Sequence, residues 1–93
     1  MKKQTYASVW DALEESPEAA ANMRLRADLM IAVQRHVAAS GLTQAQAARK
    51  LELTQPRLND LLRGRIDKFS LDALVNMLAR AGKQVSVKVR RAA

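Results

Sequence analysis

Apolar positions recur at helical spacing along most of the chain. Between residues 17 and 39, Met23, Ala27, Met30, Ile31, Gln34 and Val37 follow one helical face, and Leu25, Leu29 and Ala32 widen it. That spacing predicts one long amphipathic helix. Ser16 and Pro17 open it: the serine oxygen can accept from amides of the first turn, where the missing N–H of proline costs nothing. Glu18 sits favourably at that positive end. Ser40 and Gly41 close the helix, with glycine free to take the left-handed conformation. A shorter helix is predicted at residues 8–13, capped by Ser8 and carrying Val9, Trp10 and Leu13.

The next stretch predicts two short helices and a tight turn. Thr43 with Gln46 three residues on is a capping-box pattern, and Ala45, Ala47, Ala48 and Leu51 form a small-residue face behind it. Glu52 and Leu53 break the helix. Thr54 caps the second, with Pro56 in its first turn and Leu58, Leu61 and Leu62 as its apolar positions, and Arg63, Gly64 and Arg65 end it. Ser70 caps a further helix over residues 71–80, with Leu71, Leu74, Val75 and Leu78 inward, and Ala81 and Gly82 stop it.

The tail changes period. Val85, Val87 and Val89 alternate with Ser86, Lys88 and Arg90, so residues 83–90 read as a strand. A lone strand leaves its backbone groups unpaired. Either residues 4–9 pair with it or a second subunit does, and the second subunit is the preferred partner. The expected architecture is mainly α: a compact bundle of about five helices containing a helix-turn-helix, with a C-terminal β-strand for dimer pairing through Val85, Val87 and Val89. Three regions follow: an N-terminal arm and short helix (1–15), a helix-turn-helix domain (16–82), and a C-terminal dimerisation element (83–93).

Composition narrows the function. A chain of 93 residues is by default one small domain, and its hydrophobic content of 48% with three glycines and two prolines fits an ordered chain. With no cysteine and one histidine, a disulfide framework and a zinc centre are both excluded. No apolar run approaches the ~20 residues of a membrane span. Residues 4–8 are no hydrophobic signal core, which favours a cytoplasmic protein. Residues 1–43 carry five Lys/Arg and five Asp/Glu, and residues 44–93 carry eleven and four, so the whole net charge of +7 lies in the second half. That asymmetry points to a polyanion partner for the basic half.

The charged half contains the hairpin. Ala48 falls where its two helices cross, and a small side chain there allows close approach. This is the spacing of a helix-turn-helix, whose second helix lies in the major groove. Thr54, Gln55, Pro56, Arg57 and Asn59 lie at or near the start of that helix. Glutamine can pair bidentately with adenine and arginine with guanine, while a threonine methyl can touch thymine. Gln44 is placed to grip the backbone, free amides can hold a phosphate, and Arg63, Arg65 and Lys68 would meet phosphates. His36 reads as an ordinary helix histidine and the four methionines as core filling. Trp10 reads as packing, and Glu14, Glu15 and Glu18 as a solvated acidic face with partner contact as the alternative. No nucleophile–base pair, metal cluster or phosphate loop is present, so no enzyme and no cofactor are expected.

Leu42-Thr-Gln-Ala-Gln-Ala-Ala48 resembles the XRE/Cro-like helix-turn-helix superfamily. More of the chain resembles the HigA-type antitoxins of bacterial type II toxin–antitoxin pairs. The resembling pieces are Ser8-Val-Trp-Asp-Ala-Leu13, Thr54-Gln-Pro-Arg-Leu58, Leu61-Leu-Arg-Gly-Arg65, Phe69-Ser-Leu-Asp-Ala-Leu74 and Ala81-Gly-Lys-Gln-Val-Ser-Val-Lys-Val89. The resemblance implies a homodimer that represses its own operon from a palindromic operator on double-stranded DNA. It also implies a RelE/HigB-like ribonuclease toxin as partner and a place on the bacterial nucleoid. By position it assigns backbone gripping to Gln44 and recognition contacts to Thr54, Gln55 and Arg57, with Arg63 and Arg65 following. Glu52 departs from the glycine usual in that turn, which implies either strain of roughly 1 kcal/mol or a turn of different shape. Two other readings stand beside this one: a stand-alone XRE-type repressor, and a protein-interaction module that never meets DNA.

Overall fold

Every α-helix of residues 16–92, the part of the chain that the computed structural model describes, starts on a side-chain hydroxyl. Ser16 accepts from the amide of Ala19 at 3.0 Å, Thr43 from Gln46 at 3.1 Å, Thr54 from Arg57 at 3.2 Å and Ser70 from Ala73 at 3.1 Å. These caps open α1 (Pro17–Ser40), α2 (Gln44–Leu51), α3 (Gln55–Leu62) and α4 (Leu71–Arg80), with a 3-10 turn at Ile66–Lys68 between the last two. Each cap satisfies an amide that the helix itself leaves without an acceptor.

Three of the four ends share one geometry. At α2 the Leu53 amide donates to Ala48 O (2.8 Å) and Glu52 to Arg49 O (3.1 Å). At α3 the pairs are Arg65 to Asp60 and Gly64 to Leu61, both 3.0 Å; at α4 they are Lys83 to Leu78 (2.8 Å) and Gly82 to Ala79 (3.0 Å). Nested bonds of this kind need one left-handed residue. Gly64 and Gly82 supply it at α3 and α4, and Glu52 supplies it at α2 with φ 58° and ψ 43°.

The core forms where α1 crosses the other helices. Leu29, Met30 and Val33 of α1 meet Ala47, Ala48 and Leu51 of α2, Leu58 and Leu61 of α3, and Leu74, Met77 and Leu78 of α4. Phe69 fills the space between the 3-10 turn and α4 and is buried. Two polar side chains of α1 tie the layers together. Gln34 donates through Nε2 to Leu61 O at 2.8 Å, and Arg26 reaches Ile66 O and Phe69 O, each at 3.4 Å.

Packing selected different faces from those the spacing predicted. Ile31 is 43% exposed and Leu25 37%, while Val33, absent from the predicted stripe, is almost fully buried. Helix α1 carries apolar residues on several sides, so spacing alone could not choose among them. On α4 the inward position falls to Met77, and Val75 faces out.

The expected architecture needs correcting in two respects. The described residues hold four α-helices, not five, and the short helix predicted at 8–13 lies outside them. They contain no β-strand, so the strand expected over residues 83–90 is absent. A strand exists only with an edge to pair with, and an all-helical bundle offers none. Val85 still packs against the core, but Val87 and Val89 are 67% and 88% exposed. No helix of the described residues is long and apolar enough to cross a membrane.

Candidate nucleic-acid interface

Helices α2 and α3 form a hairpin because the inner side of α2 is nearly all alanine. Ala47 and Ala48 are buried, and small side chains let α3 approach until Leu58 and Leu61 close the gap against Leu51. The chain reverses over residues 52–54. Glu52 turns left-handed, Leu53 folds over the hairpin, and Thr54 caps α3. Arg80 of α4 braces this turn, with Nε 3.5 Å from Glu52 Oε1 and Nη1 donating to Leu51 O at 3.4 Å.

With Leu58 and Leu61 inward, the opposite side of α3 presents Gln55, Pro56, Asn59 and Arg63, all exposed. Positions four apart stack along one helical face, so Gln55, Asn59 and Arg63 form a polar row about two turns long. Thr54 stands at its head, its oxygen accepting the Arg57 amide and its hydroxyl proton and methyl left over. Pro56 has no N–H and Leu58 donates to Thr54 O, so Gln55 offers the one uncommitted amide of this first turn. The phosphate-holding capacity expected of the helix start is therefore narrow. Gln44 is exposed in the first turn of α2, while Gln46 is engaged in the capping box, accepting from the Thr43 amide at 2.9 Å.

Arg57 does not join the polar row. Its Nη1 donates to Lys68 O at 2.8 Å, and its guanidinium carbon lies 4.3 Å from the centroid of the Phe69 ring. Past the helix, Arg63 and Lys68 are exposed, and Arg65 lies 3.7 Å from Asp60 Oδ1 in a solvent-facing pair. Such pairs contribute little to stability, so Arg65 remains available to a phosphate.

The supporting side chains Gln34, Arg26, Arg80 and Phe69 carry no local signal in the sequence. Arg80 meets the carbonyl of Leu51 across 29 residues, and Arg26 meets that of Phe69 across 43. His36 lines a groove between α1 and the tail with Leu29, Leu78, Lys83 and Val85. Glu18 is exposed and accepts from the Ser16 hydroxyl at 3.4 Å, while Trp10, Glu14 and Glu15 lie outside the described residues.

A close-packed helical hairpin with a polar outer row and basic residues beyond it defines a helix-turn-helix protein of the DNA-binding class. The chain belongs to the helix-turn-helix domain family, whose model matches residues 12–90. A solved structure named as an XRE-family transcriptional regulator is similar at 25% identity and a TM-score of 0.72, over 78% of this chain and 82% of that one. No curated protein matches the chain. The family and the structural neighbour support a DNA-binding transcriptional regulator rather than an enzyme.

Proposed function

We propose that the protein is a sequence-specific repressor that binds a palindromic operator as a homodimer and serves as the antitoxin of a toxin–antitoxin pair. The observation that carries the DNA half of this reading is the exposed row Gln55, Asn59 and Arg63 on α3, capped by Thr54. Two amide side chains in such a row suit adenine edges. Arg63 at the end of the row suits a phosphate, as do the exposed Gln44, Arg65 and Lys68. The bacterial nucleoid is the place where such a protein acts.

The dimer is supported by what the tail leaves open. Val87 and Val89 are apolar and exposed, and a second copy packing its own tail or helices over them would remove that surface from water. Two recognition helices would then enter successive major grooves about 34 Å apart. The antitoxin half is supported by the HigA-type sequence pieces and by acidic Glu14, Glu15 and Glu18, which suit the basic surface of a RelE/HigB-like ribonuclease. A stand-alone repressor is the alternative, and the neighbouring reading frame separates the two.

The test is titration of the full chain with duplexes selected from a random-sequence library, at several salt concentrations. A steep fall in affinity with salt, from counterion release, and selection of a palindrome support the reading. Weak, salt-insensitive binding without selection overturns it. Co-purification of a small basic ribonuclease encoded alongside supports the antitoxin half, and a neighbourhood without such a gene overturns it.

A further inference from the structure

Arg57 is the residue of α3 whose chemistry best suits a guanine edge, yet its guanidinium is turned inward. It makes a hydrogen bond of 2.8 Å to Lys68 O and stacks 4.3 Å above the Phe69 ring. That distance is well inside the ~6 Å range of an effective cation–π contact. Phe69 is 1% exposed and so is a fixed platform, and Arg57 is itself half-buried.

The same turn is also held from α1. Arg26 of α1 donates to Ile66 O and Phe69 O, each at 3.4 Å. Two guanidinium groups from two helices thus engage three carbonyls of residues 66–69. A three-residue 3-10 turn has poor internal hydrogen-bond geometry and little stability of its own. The external donors add to the apolar anchoring of this turn through Ile66 and Phe69. The turn carries Lys68, and Arg65 and Arg63 lie just before it.

We infer that Arg57 is a positioning residue rather than a base reader: through Lys68 O and the Phe69 ring it fixes the turn after α3, which places Lys68 against the DNA backbone. The inference rests on the DNA-binding reading above and deepens it. Gln55 and Asn59 are left to read bases. For Arg57 to reach a guanine it would have to break both contacts, and Lys68 would lose its placement in the same step.

The experiment compares the full-length protein with Arg57→Met, Lys68→Ala and the double variant. Arg57→Met keeps an apolar stem over Phe69 and removes the donor and the charge. Each is titrated with the selected duplex, with single-base-pair variants of it and with an unrelated duplex, across a salt series. Measurements are made where circular dichroism shows the variant fully folded; Arg57→Leu, which also lacks the donor and the charge, is the fallback if Arg57→Met is not.

Wild-type binding is measured first. If it is absent or salt-insensitive, the DNA-binding reading fails, and this inference with it. If wild type binds, Arg57→Met is expected to weaken all duplexes by one common factor, roughly three- to tenfold, and to reduce the salt slope by about one, as Lys68→Ala does. The double variant is expected to bind no more weakly than Lys68→Ala alone. A role confined to fold stability would leave the salt slope of folded protein unchanged. A loss confined to one base-pair position, an unchanged slope, or additivity with Lys68→Ala overturns the inference.

Discussion

Glu52 reverses the chain in a left-handed backbone conformation while its carboxylate lies 3.5 Å from Nε of Arg80. Its counterparts at the ends of α3 and α4 are glycines. The ion pair is solvent-facing, and pairs of that kind contribute at most about 1 kcal/mol. The contact therefore offsets only part of the backbone strain. What keeps Glu52 in place is the pair of amide bonds to Ala48 O and Arg49 O, together with Leu53 packed on the core.

The first prediction follows from that balance. In Glu52→Gly, relief of roughly 1 kcal/mol of left-handed strain is offset by about 0.5–1 kcal/mol of extra freedom in the unfolded chain. Stability should stay within about 0.5 kcal/mol of wild type in urea unfolding. Glu52→Val should cost about 1–2 kcal/mol, because a β-branched residue tolerates this region worst. Equal stability of the Val and Gly variants would show that the turn can change shape.

A second prediction tests which side of α4 is inward. Leu74 is fully buried and Val75 is 38% exposed. Leu74→Ala should cost about 2–5 kcal/mol through lost burial and a cavity, a large share of the roughly 5–15 kcal/mol that holds a domain together. Val75→Ala should stay within about 0.5 kcal/mol. Comparable losses at the two sites in thermal unfolding would contradict the packing described.

The polar row on α3 gives a third prediction. Gln55→Ala and Asn59→Ala should each cost about 1–3 kcal/mol at one base-pair position and leave unrelated duplexes unaffected. Arg63→Ala should weaken every sequence alike and lower the salt slope by about one. Affinities across a set of singly substituted duplexes distinguish the two patterns, and a uniform loss for Gln55→Ala would assign it to the backbone.

The exposed tail valines give a fourth. The double change Val87→Asp and Val89→Asp should leave the helical circular dichroism spectrum of the subunit unaltered, since neither side chain joins the core. It should shift sedimentation from dimer to monomer and weaken operator binding. An unchanged sedimentation coefficient would remove these valines from the dimer contact.

Much of this fold is legible in the chain because helix ends are local events. Ser16, Thr43, Thr54 and Ser70 each accept from an amide three residues away, and Gly64 and Gly82 each sit at the left-handed position that ends a helix. Such bonds depend on neighbours alone, so spacing and residue type suffice to place them. The hairpin was legible for the same reason, with alanines inside it and polar residues outside. The placement of Arg57 on Phe69 was not legible, because residue type announces what a guanidinium can bind, not where its long stem will turn.

Spacing and residue type alone thus placed the four α-helices of the described residues, the tight turn at Glu52, the hairpin and the polar residues of α3. Only tertiary structure decided which side of α1 is buried, that Arg57 lies on Phe69, that Arg80 braces Glu52, and that the valine tail forms no strand. Each of these depends on a partner far along the chain, or on an edge that a helical bundle does not provide. The Arg57 to Lys68 bond spans 11 residues and the Arg26 to Phe69 bond 43. Periodicity tells a residue which neighbours share its face, but only the packing of whole helices brings distant groups within bonding distance.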